Sequence, residues 1–370
     1  MAGIYIHIPF CKQACPYCNF HFSTSLKRKN ELIAALLKET ELRKDYLPGE
    51  GIGTIYFGGG TPSLLTVSDC RLQIEKIRNL FPVANDAEIT LEANPDDITD
   101  EKLNGWKEAG INRLSIGIQS FFDEDLQWMN RAHNAEQAIN NLLLAMKHFK
   151  NLTIDLIYGY PLLTDEKWKQ NIEKALSFKI PHISCYALTA EPATLLQKKI
   201  LLKKEKEPDP EKQANQFLFL IDQLHAVGYE HYEISSFSLP GFRSRHNSAY
   251  WQGIKYLGLG PSAHSYDGDS RQWNVSNNNI YIESLKANKL LFEKEILTPK
   301  QKINEYIMTS LRTINGIELN RLDRETRELI CSKIKKYTER GLVNRTTDNI
   351  SLTREGKLMA DGIASDLFLD

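Results

Sequence analysis

Runs of β-branched and aromatic residues recur through the first 240 positions, and that rhythm constrains the fold more than any other feature. The runs are IYIHI (4–8), TIYFGG (54–59), EITLEAN (88–94), RLSIGIQ (113–119), LTIDLIYG (152–159), HISCYALT (182–189) and YEHYEIS (229–235). Segments with helical periodicity lie between them, among them NELIAALLKETELRKDY (30–46) and AEQAINNLLLAMKHF (135–149). Strands that alternate with helices argue for βαβ units and a parallel sheet, because a parallel neighbour needs a crossover long enough to hold a helix. Six or more such units in about 240 residues suggest a full or partial β/α barrel. An open doubly wound sheet gives a similar string, and the rhythm alone does not separate the two.

The character of the chain changes twice more. KKEKEPDPEK (203–212) reads as a solvated loop ahead of the helix NQFLFLIDQLHAVG (215–228). Residues 241–300 are rich in Gly, Asn, Ser and aromatics and read as a loop-rich connecting segment. From 301 to 370 the pattern is helix (304–313), helix (324–341), hairpin (343–353) and a final helix (354–368), which is similar to a winged-helix module. There is no internal repeat.

The totals exclude several classes. Of 370 residues, 42% are hydrophobic and 25% charged, as in an ordinary globular protein. A formal net charge of −1 provides no global field for nucleic acid or an anionic membrane. No run approaches the ~20 apolar residues that span a bilayer. The start, MAGIYIHIPFCK, lacks the pattern of a signal peptide. Six cysteines in a chain this long do not suggest a disulfide framework, so a reduced, cytoplasmic setting is expected. Cys70, Cys185 and Cys331 stand alone and read as buried thiols.

The other three thiols, Cys11, Cys15 and Cys18, fall within eight residues as C-x3-C-x2-C. Structural zinc takes four ligands, and His7 or His21 can supply a fourth, so a Cys3His zinc site is one reading. A disulfide with one spare thiol is another. An iron–sulfur cube usually takes four cysteines. With three, one iron keeps no protein ligand and is free to bind something else.

At this motif the chain resembles the radical S-adenosylmethionine (SAM) proteins, whose C-x3-C-x2-C loop follows the first strand of a partial β/α barrel. The resemblance covers nearly the whole chain and is strongest to the oxygen-independent coproporphyrinogen III oxidase-like subfamily. It implies a [4Fe–4S] cluster on Cys11, Cys15 and Cys18, with Tyr17 as the aromatic before the last cysteine. It also implies SAM on the open iron, cleaved in the family to a 5′-deoxyadenosyl radical. Tyr5, in YIHIPFC, is implied near the cluster and SAM. FGGGTPS (57–63) gives Gly59, Gly60 and Thr61 to the methionine end of SAM. LEANP (91–95) carries Glu92, SIGIQS (115–120) Gln119, NRAHN (130–134) Arg131 and IDLIYGYP (154–161) Asp155. A carboxylate such as Asp155 suits ribose hydroxyls, and a guanidinium pairs with a carboxylate through two hydrogen bonds. Each residue alone has a plainer reading, as a turn glycine, a helix cap or a backbone partner. In order, at successive strand ends, they read as one site.

The subfamily holds two different activities. One is radical oxidative decarboxylation of coproporphyrinogen III. The other is a haem chaperone branch that binds haem and hands it to respiratory enzymes. The dehydrogenases carry a further cysteine two residues after the motif, where this chain has Phe20, and they have a longer N-terminal extension. RSRHNSAYW (243–251) contains H-N-x-x-Y-W, which resembles the chaperone branch. His246 is thereby implied as an axial haem ligand, Tyr250 and Trp251 as porphyrin-packing rings, and Arg243 and Arg245 as propionate partners. His264, in GLGPSAHSY (258–266), carries no assigned role.

The expectation is an α/β protein. Residues 1–240 form a partial (β/α)6 radical SAM barrel, 241–300 connect, and 301–370 form a mostly helical, winged-helix-like domain. It holds a [4Fe–4S] cluster, SAM and haem and delivers haem to acceptor proteins. Membrane respiratory enzymes are the expected acceptors, which implies peripheral membrane association. The dehydrogenase is the alternative. A DNA-binding role for helix 324–340 is weakest, because its charges are mixed. The cluster loop, lined by Phe10, Phe20 and Phe22, is expected to favour a homodimer.

Overall fold

The computed structural model describes residues 1–369. Six parallel strands come first: β1 (Ala2–Ile8), β2 (Ile52–Gly59), β3 (Val83–Ala93), β4 (Arg113–Gln119), β5 (Leu152–Tyr158) and β6 (His182–Ala187). Between them run α1 (Lys29–Leu42), α2 (Val67–Leu80), α3 (Asp100–Glu108), α4 (Asp123–Trp128), α5 (Ala135–His148) and α6 (Asp165–Ser177). The strands lie side by side in chain order, β1 to β6. That order settles what the hydrophobic rhythm left open. A doubly wound sheet reverses direction near its first strand, whereas each crossover here steps the same way, as in a barrel wall.

Local chemistry sets the helix starts. Thr66 and Asp69 form a reciprocal capping box ahead of α2, and Asn134 and Gln137 form another ahead of α5. The strand alternation sorts side chains by face. Ile4, Ile6 and Ile8 of β1 are fully buried, while Tyr5 and His7 line a cavity.

The sheet continues past β6 and past β1. After α7 (Leu195–Leu201) and α8 (Pro210–Ala226), the hairpin of β7 (Glu230–Glu233) and β8 (Ser236–Ser238) extends the sheet, with β8 antiparallel to β6 and β7 antiparallel to β8. On the other edge β9 (Tyr256–Leu259) pairs parallel with β1, and β10 (His264–Tyr266), β11 (Ser270–Asn274) and β12 (Phe292–Ile296) follow antiparallel. The stretch 241–300, expected to be loop-rich, therefore supplies a third of a 12-stranded sheet, together with α9 (Arg245–Trp251) and α10 (Asn278–Lys286). These strands are three to five residues long, and β10–β12 are largely polar, so they leave little periodic signal. Edge strand β12 is exposed throughout and reads FEKEI, and its charges discourage further pairing.

The C-terminal part holds α11 (Pro299–Leu311), α12 (Arg324–Glu339) and α13 (Ala360–Leu367). A small sheet of β13 (Ile317–Glu318), β14 (Val343–Arg345) and β15 (Asn349–Leu352) forms the wing. Its own core gathers Ile307, Leu311, Ile330, Ile334, Ile350 and Ile363. The part is fastened to the barrel by the ion pair of Arg354 with Asp222 and by Lys357 against His231. α11 packs on α9, which closes one side of the concave sheet face.

No described helix is long and apolar enough to cross a membrane. Cys70 and Cys185 are buried as expected, whereas Cys331 on α12 is only half-buried.

Candidate functional site

The loop after β1 carries Cys11, Cys15 and Cys18, and its shape is fixed by backbone hydrogen bonds. Cys11 N–H donates to the Ser23 carbonyl (3.1 Å), Ser23 N–H to Pro9 (2.8 Å), and Cys18 N–H to Cys15 (3.2 Å). From outside, Leu196 N–H donates to Pro16 (2.7 Å) and Asn130 Nδ2 to Ala14 (2.9 Å). Gly60 N–H donates to the Ile8 carbonyl (2.9 Å), so the loop's base rests on the end of β2. A Cβ on Gly60 would lie 2.6 Å from the Phe10 carbonyl oxygen. Part of what this glycine permits is therefore the close seating of the chain's own cysteine loop. Gly59, at φ +106°, would put a Cβ 2.5 Å from the His7 ring.

The thiols face a cavity of about 470 Å³ at the C-terminal ends of the barrel strands. Tyr17, Gly59, Gly60, Thr61, Glu92, Gln119, Arg131 and Asp155 line the same cavity, so the structure brings together eight of the expected cofactor residues. Glu92 on β3 accepts from Tyr56 Oη (2.8 Å) and from Gly59 N–H (3.2 Å). Asp155 on β5 accepts from Ser115 Oγ (3.2 Å). Arg131 donates through Nη2 to Asn94 Oδ1 (2.7 Å) and to the Gly117 carbonyl (3.1 Å). Its Nη1 lies 3.7 Å from Cys15 Sγ, and its buried Nε has no partner among the described residues. Gln119 ends β4 at φ +67°, where the β4–β5 register shifts, and such an irregularity re-aims the side chain that ends the strand. Asn94, Ser115 and Gly117 were not singled out from sequence. Strand alternation would have found two of them, since Ser115 and Gly117 share a face of β4 with Gln119.

Burial dominates the electrostatics. It pushes the Glu92 carboxyl up to about 7, partly offset by the hydrogen bond from Tyr56, and Asp155 up to about 6. It also pushes the Cys11 thiol up to about 11 and raises Cys18. Burial thus favours the protonated form of Cys11 and Cys18 until a cation displaces the protons, as cysteine-bound metals do.

The two carboxylates carry a stability consequence. Both pKa values are raised in the folded state, so the folded chain binds more protons than the unfolded chain between about pH 4 and 7. Their contribution is most favourable in acid and is lost as pH rises through the folded values. Glu92→Gln removes the larger share. In thermal melts at pH 8 the variant should be more stable than wild type, by at most about 3 kcal/mol, with the gap closing toward pH 5. A gap independent of pH would contradict the assignment.

The zinc reading lacks its histidine. His7 Nε2–H donates to the His21 carbonyl (2.9 Å) and its Nδ1 accepts from Tyr5 Oη (3.1 Å). His21 Nε2 is bonded to Asn278 Oδ1 (2.7 Å). Neither ring lines the thiol cavity. Among the described residues no three His, Cys, Asp or Glu side chains gather around one ion-sized point. Three thiols lining one cavity with no histidine beside them suit a multi-iron cluster, in which each cysteine serves a different iron.

Two expected cofactor residues lie elsewhere. Tyr5 lines a second, larger cavity of about 860 Å³ between the concave sheet face, α9 and α11. Asn19 and Phe20 line both cavities, so the two adjoin at the cysteine loop. His246, at the start of α9, is 2% exposed and lines neither. Its ring stacks on Tyr56 (5.0 Å between centroids), Nδ1 is bonded to Thr54 Oγ1 (2.7 Å) and Nε2 to Tyr250 Oη (2.9 Å). Both nitrogens are thus engaged. Tyr250 and Trp251 do line the second cavity. Arg243 and Arg245 do not; they pair with Glu230 (3.1 Å) and Asp86 (3.3 Å). Phe10, expected on an exposed apolar turn, is buried, whereas Phe20 is 66% exposed and Phe22 half-buried.

Residues 5–175 match the family model of the Radical SAM superfamily, and residues 297–359 match that of the HemN C-terminal domain. The heme chaperone HemW of Bacillus subtilis (strain 168) is 32% identical over 373 residues, covering 98% of this chain and 98% of its own. The heme chaperone HemW of Escherichia coli (strain K12) is 30% identical, covering 99% and 98%. Among solved structures, coproporphyrinogen III oxidase (HemN) from Escherichia coli matches with a TM-score of 0.86 at 23% identity, over 99% of this chain and 90% of that one. That likeness shows the fold.

Proposed function

This chain belongs to the haem chaperone HemW family, built on the radical SAM fold, and from that premise we propose that it binds haem and delivers it to haem-requiring proteins, with a [4Fe–4S] cluster and SAM held at the barrel mouth. The observation that carries the cofactor part is the thiol cavity. Three cysteines, and among the described residues no fourth His or Cys, face a space lined by Glu92, Asp155 and Arg131. When bound, the cluster supplies single electrons and an open iron for the amino and carboxylate groups of SAM. The chain's own residues do the positioning. Glu92 accepts from an N–H of the SAM amino group, and Asp155 takes the ribose hydroxyls. Arg131 lies beside Cys15 and offsets the negative charge that thiolates bring into a buried space.

The relatives' description as heme chaperones supports haem as the cargo. The acceptors are respiratory haem proteins, and docking on them brings the chaperone to the membrane surface. Phe20 supports a carrier over a dehydrogenase, since a phenyl ring offers no thiol at the junction of the two cavities. The two readings separate in one anaerobic assay with SAM, a low-potential reductant and coproporphyrinogen III. A carrier leaves the substrate carboxylates intact. Loss of two carboxylates per substrate would return the dehydrogenase to first place.

The exposed ring of Phe20 also supports a cluster-dependent homodimer. Light scattering should give twice the monomer mass with the cluster and the monomer mass after its removal. Equal masses would count against the dimer.

A further inference from the structure

We propose that the second cavity is the haem pocket and that His264, at the start of β10, is the iron ligand on its wall. The inference deepens the haem chaperone reading and rests on it. It departs from the sequence expectation, which gave the iron to His246.

The cavity fits the cargo in size and chemistry. About 860 Å³ lies within the range of roughly 300–1,000 Å³ that cofactor-sized ligands occupy. Its wall is aromatic, with Tyr250, Trp251, Tyr256 and Tyr306, and Met308 adds a soft apolar side chain. A flat macrocycle buries most of its area on such rings. Cations stand on the same lining. Arg321 lies 4.5 Å above the Tyr306 ring and has no carboxylate partner among the described residues. Lys302 is paired with Asp269 at 2.5 Å, and Arg271 is held in a fork by Glu305 at 2.7 and 2.8 Å. Arg321 can therefore meet a propionate directly, while Lys302 and Arg271 are already paired with carboxylates.

The histidines then sort by their free nitrogens. His7 spends both on Tyr5 and the His21 carbonyl, and His21 spends Nε2 on Asn278 and keeps Nδ1 alone, whereas His264 keeps both. His246 spends both and stands behind Tyr250. His264 is exposed, and its ring is stacked on Trp273 at 6.1 Å. No hydrogen bond holds its nitrogens among the described residues. Crowding of the ring by the cavity wall and the nearby Arg271 lower its pKa, which favours the neutral form that binds iron. In this arrangement His246 is a positioning residue. It holds the Tyr250 hydroxyl at 2.9 Å and so fixes the ring that walls the pocket. Because Asn19 and Phe20 belong to both cavities, haem in this pocket also touches the segment that carries the cluster.

The test is a haem titration of the anaerobically reconstituted full-length protein, read at the Soret band. Wild type is compared with His264→Ala, His264→Gly and His246→Ala, each with iron content and circular dichroism as folding controls. His264→Ala should weaken binding at least tenfold and move the Soret band. Added imidazole should restore the histidine-ligated spectrum in His264→Gly, which a misfolded variant cannot do. His246→Ala should weaken binding but keep the wild-type band position. A wild-type spectrum and affinity in both His264 variants, or loss of the histidine signature in His246→Ala alone, would overturn the assignment. No saturable binding by wild type would instead remove the haem chaperone reading itself.

Discussion

Cys15→Ala should leave a folded chain without a stable cluster. Cys11→Ala and Cys18→Ala should do the same. The loop has no spare ligand to offer, because His7 and His21 are turned toward the second cavity and bonded there. The remaining cysteines, Cys70, Cys185 and Cys331, lie on α2, β6 and α12, away from the thiol cavity. Losing one of three thiolates removes the only protein bond to one iron, and a cluster held by two is labile. After anaerobic reconstitution, iron and sulfide should fall from about four each per chain, the composition of a cubane, to near zero. The cluster's visible absorption should vanish with them. Far-ultraviolet circular dichroism should not change, since the loop is fixed by backbone hydrogen bonds and not by the thiols. Retention of one tightly held metal ion, unaffected by losing any one cysteine, would contradict the cluster.

Arg131→Met should bind SAM about 30- to 1,000-fold more weakly while keeping most of its cluster. The range follows from a cost of roughly 2–4 kcal/mol for removing one partner of a buried charged contact. The side chain is in place before any ligand arrives. Nη2 is fixed by Asn94 and Gly117, and Nη1 points at Cys15. A pre-positioned guanidinium costs little further ordering on binding. Arg131→Lys separates charge from geometry, because an ammonium keeps the charge but not the fork. It should recover part of the affinity. Equilibrium dialysis with labelled SAM measures both variants, and iron content reports the cluster. Unchanged SAM affinity in Arg131→Met would remove this residue from the site.

Much of this site was legible because it is built from strand ends. Glu92 and Gln119 stand at the ends of β3 and β4, and Asp155 sits mid-way along β5 on the side facing the same cavity. In a singly wound parallel sheet such positions converge whatever the details of packing. The cysteine loop was legible for a similar reason, since its spacing is local. What resisted reading depends on non-local contacts. Strands β9–β12 are short, and each is a strand through pairing with its neighbour in the extension that starts at β1. The second cavity exists because α11, about 300 residues along the chain, covers the concave face beside β1. Residues as far apart as Tyr5 and Met308 share its wall, and no periodicity links them. His246 shows the limit of a motif. HNSAYW delivers Tyr250 and Trp251 to the cavity, but a helical turn places the histidine beneath them, against Thr54 and Tyr56. Its neighbour Arg245 is drawn to Asp86. Gly60 shows another limit. Its pattern pointed to a ligand's approach, and the structure adds the chain's own Phe10 carbonyl as a reason for it.

The central claim is that this chain carries haem and gives it up to an acceptor. The most direct measurement loads the anaerobically reconstituted protein with one equivalent of haem and mixes it with membranes holding a haem-depleted respiratory enzyme. The Soret band and acceptor activity are followed together, with free haem at the same concentration as the control. Transfer from the loaded chain should restore acceptor activity faster than free haem does, with the chain's Soret band falling in step. A chain that keeps its haem, or that releases it only at the rate of free haem capture, would contradict the claim.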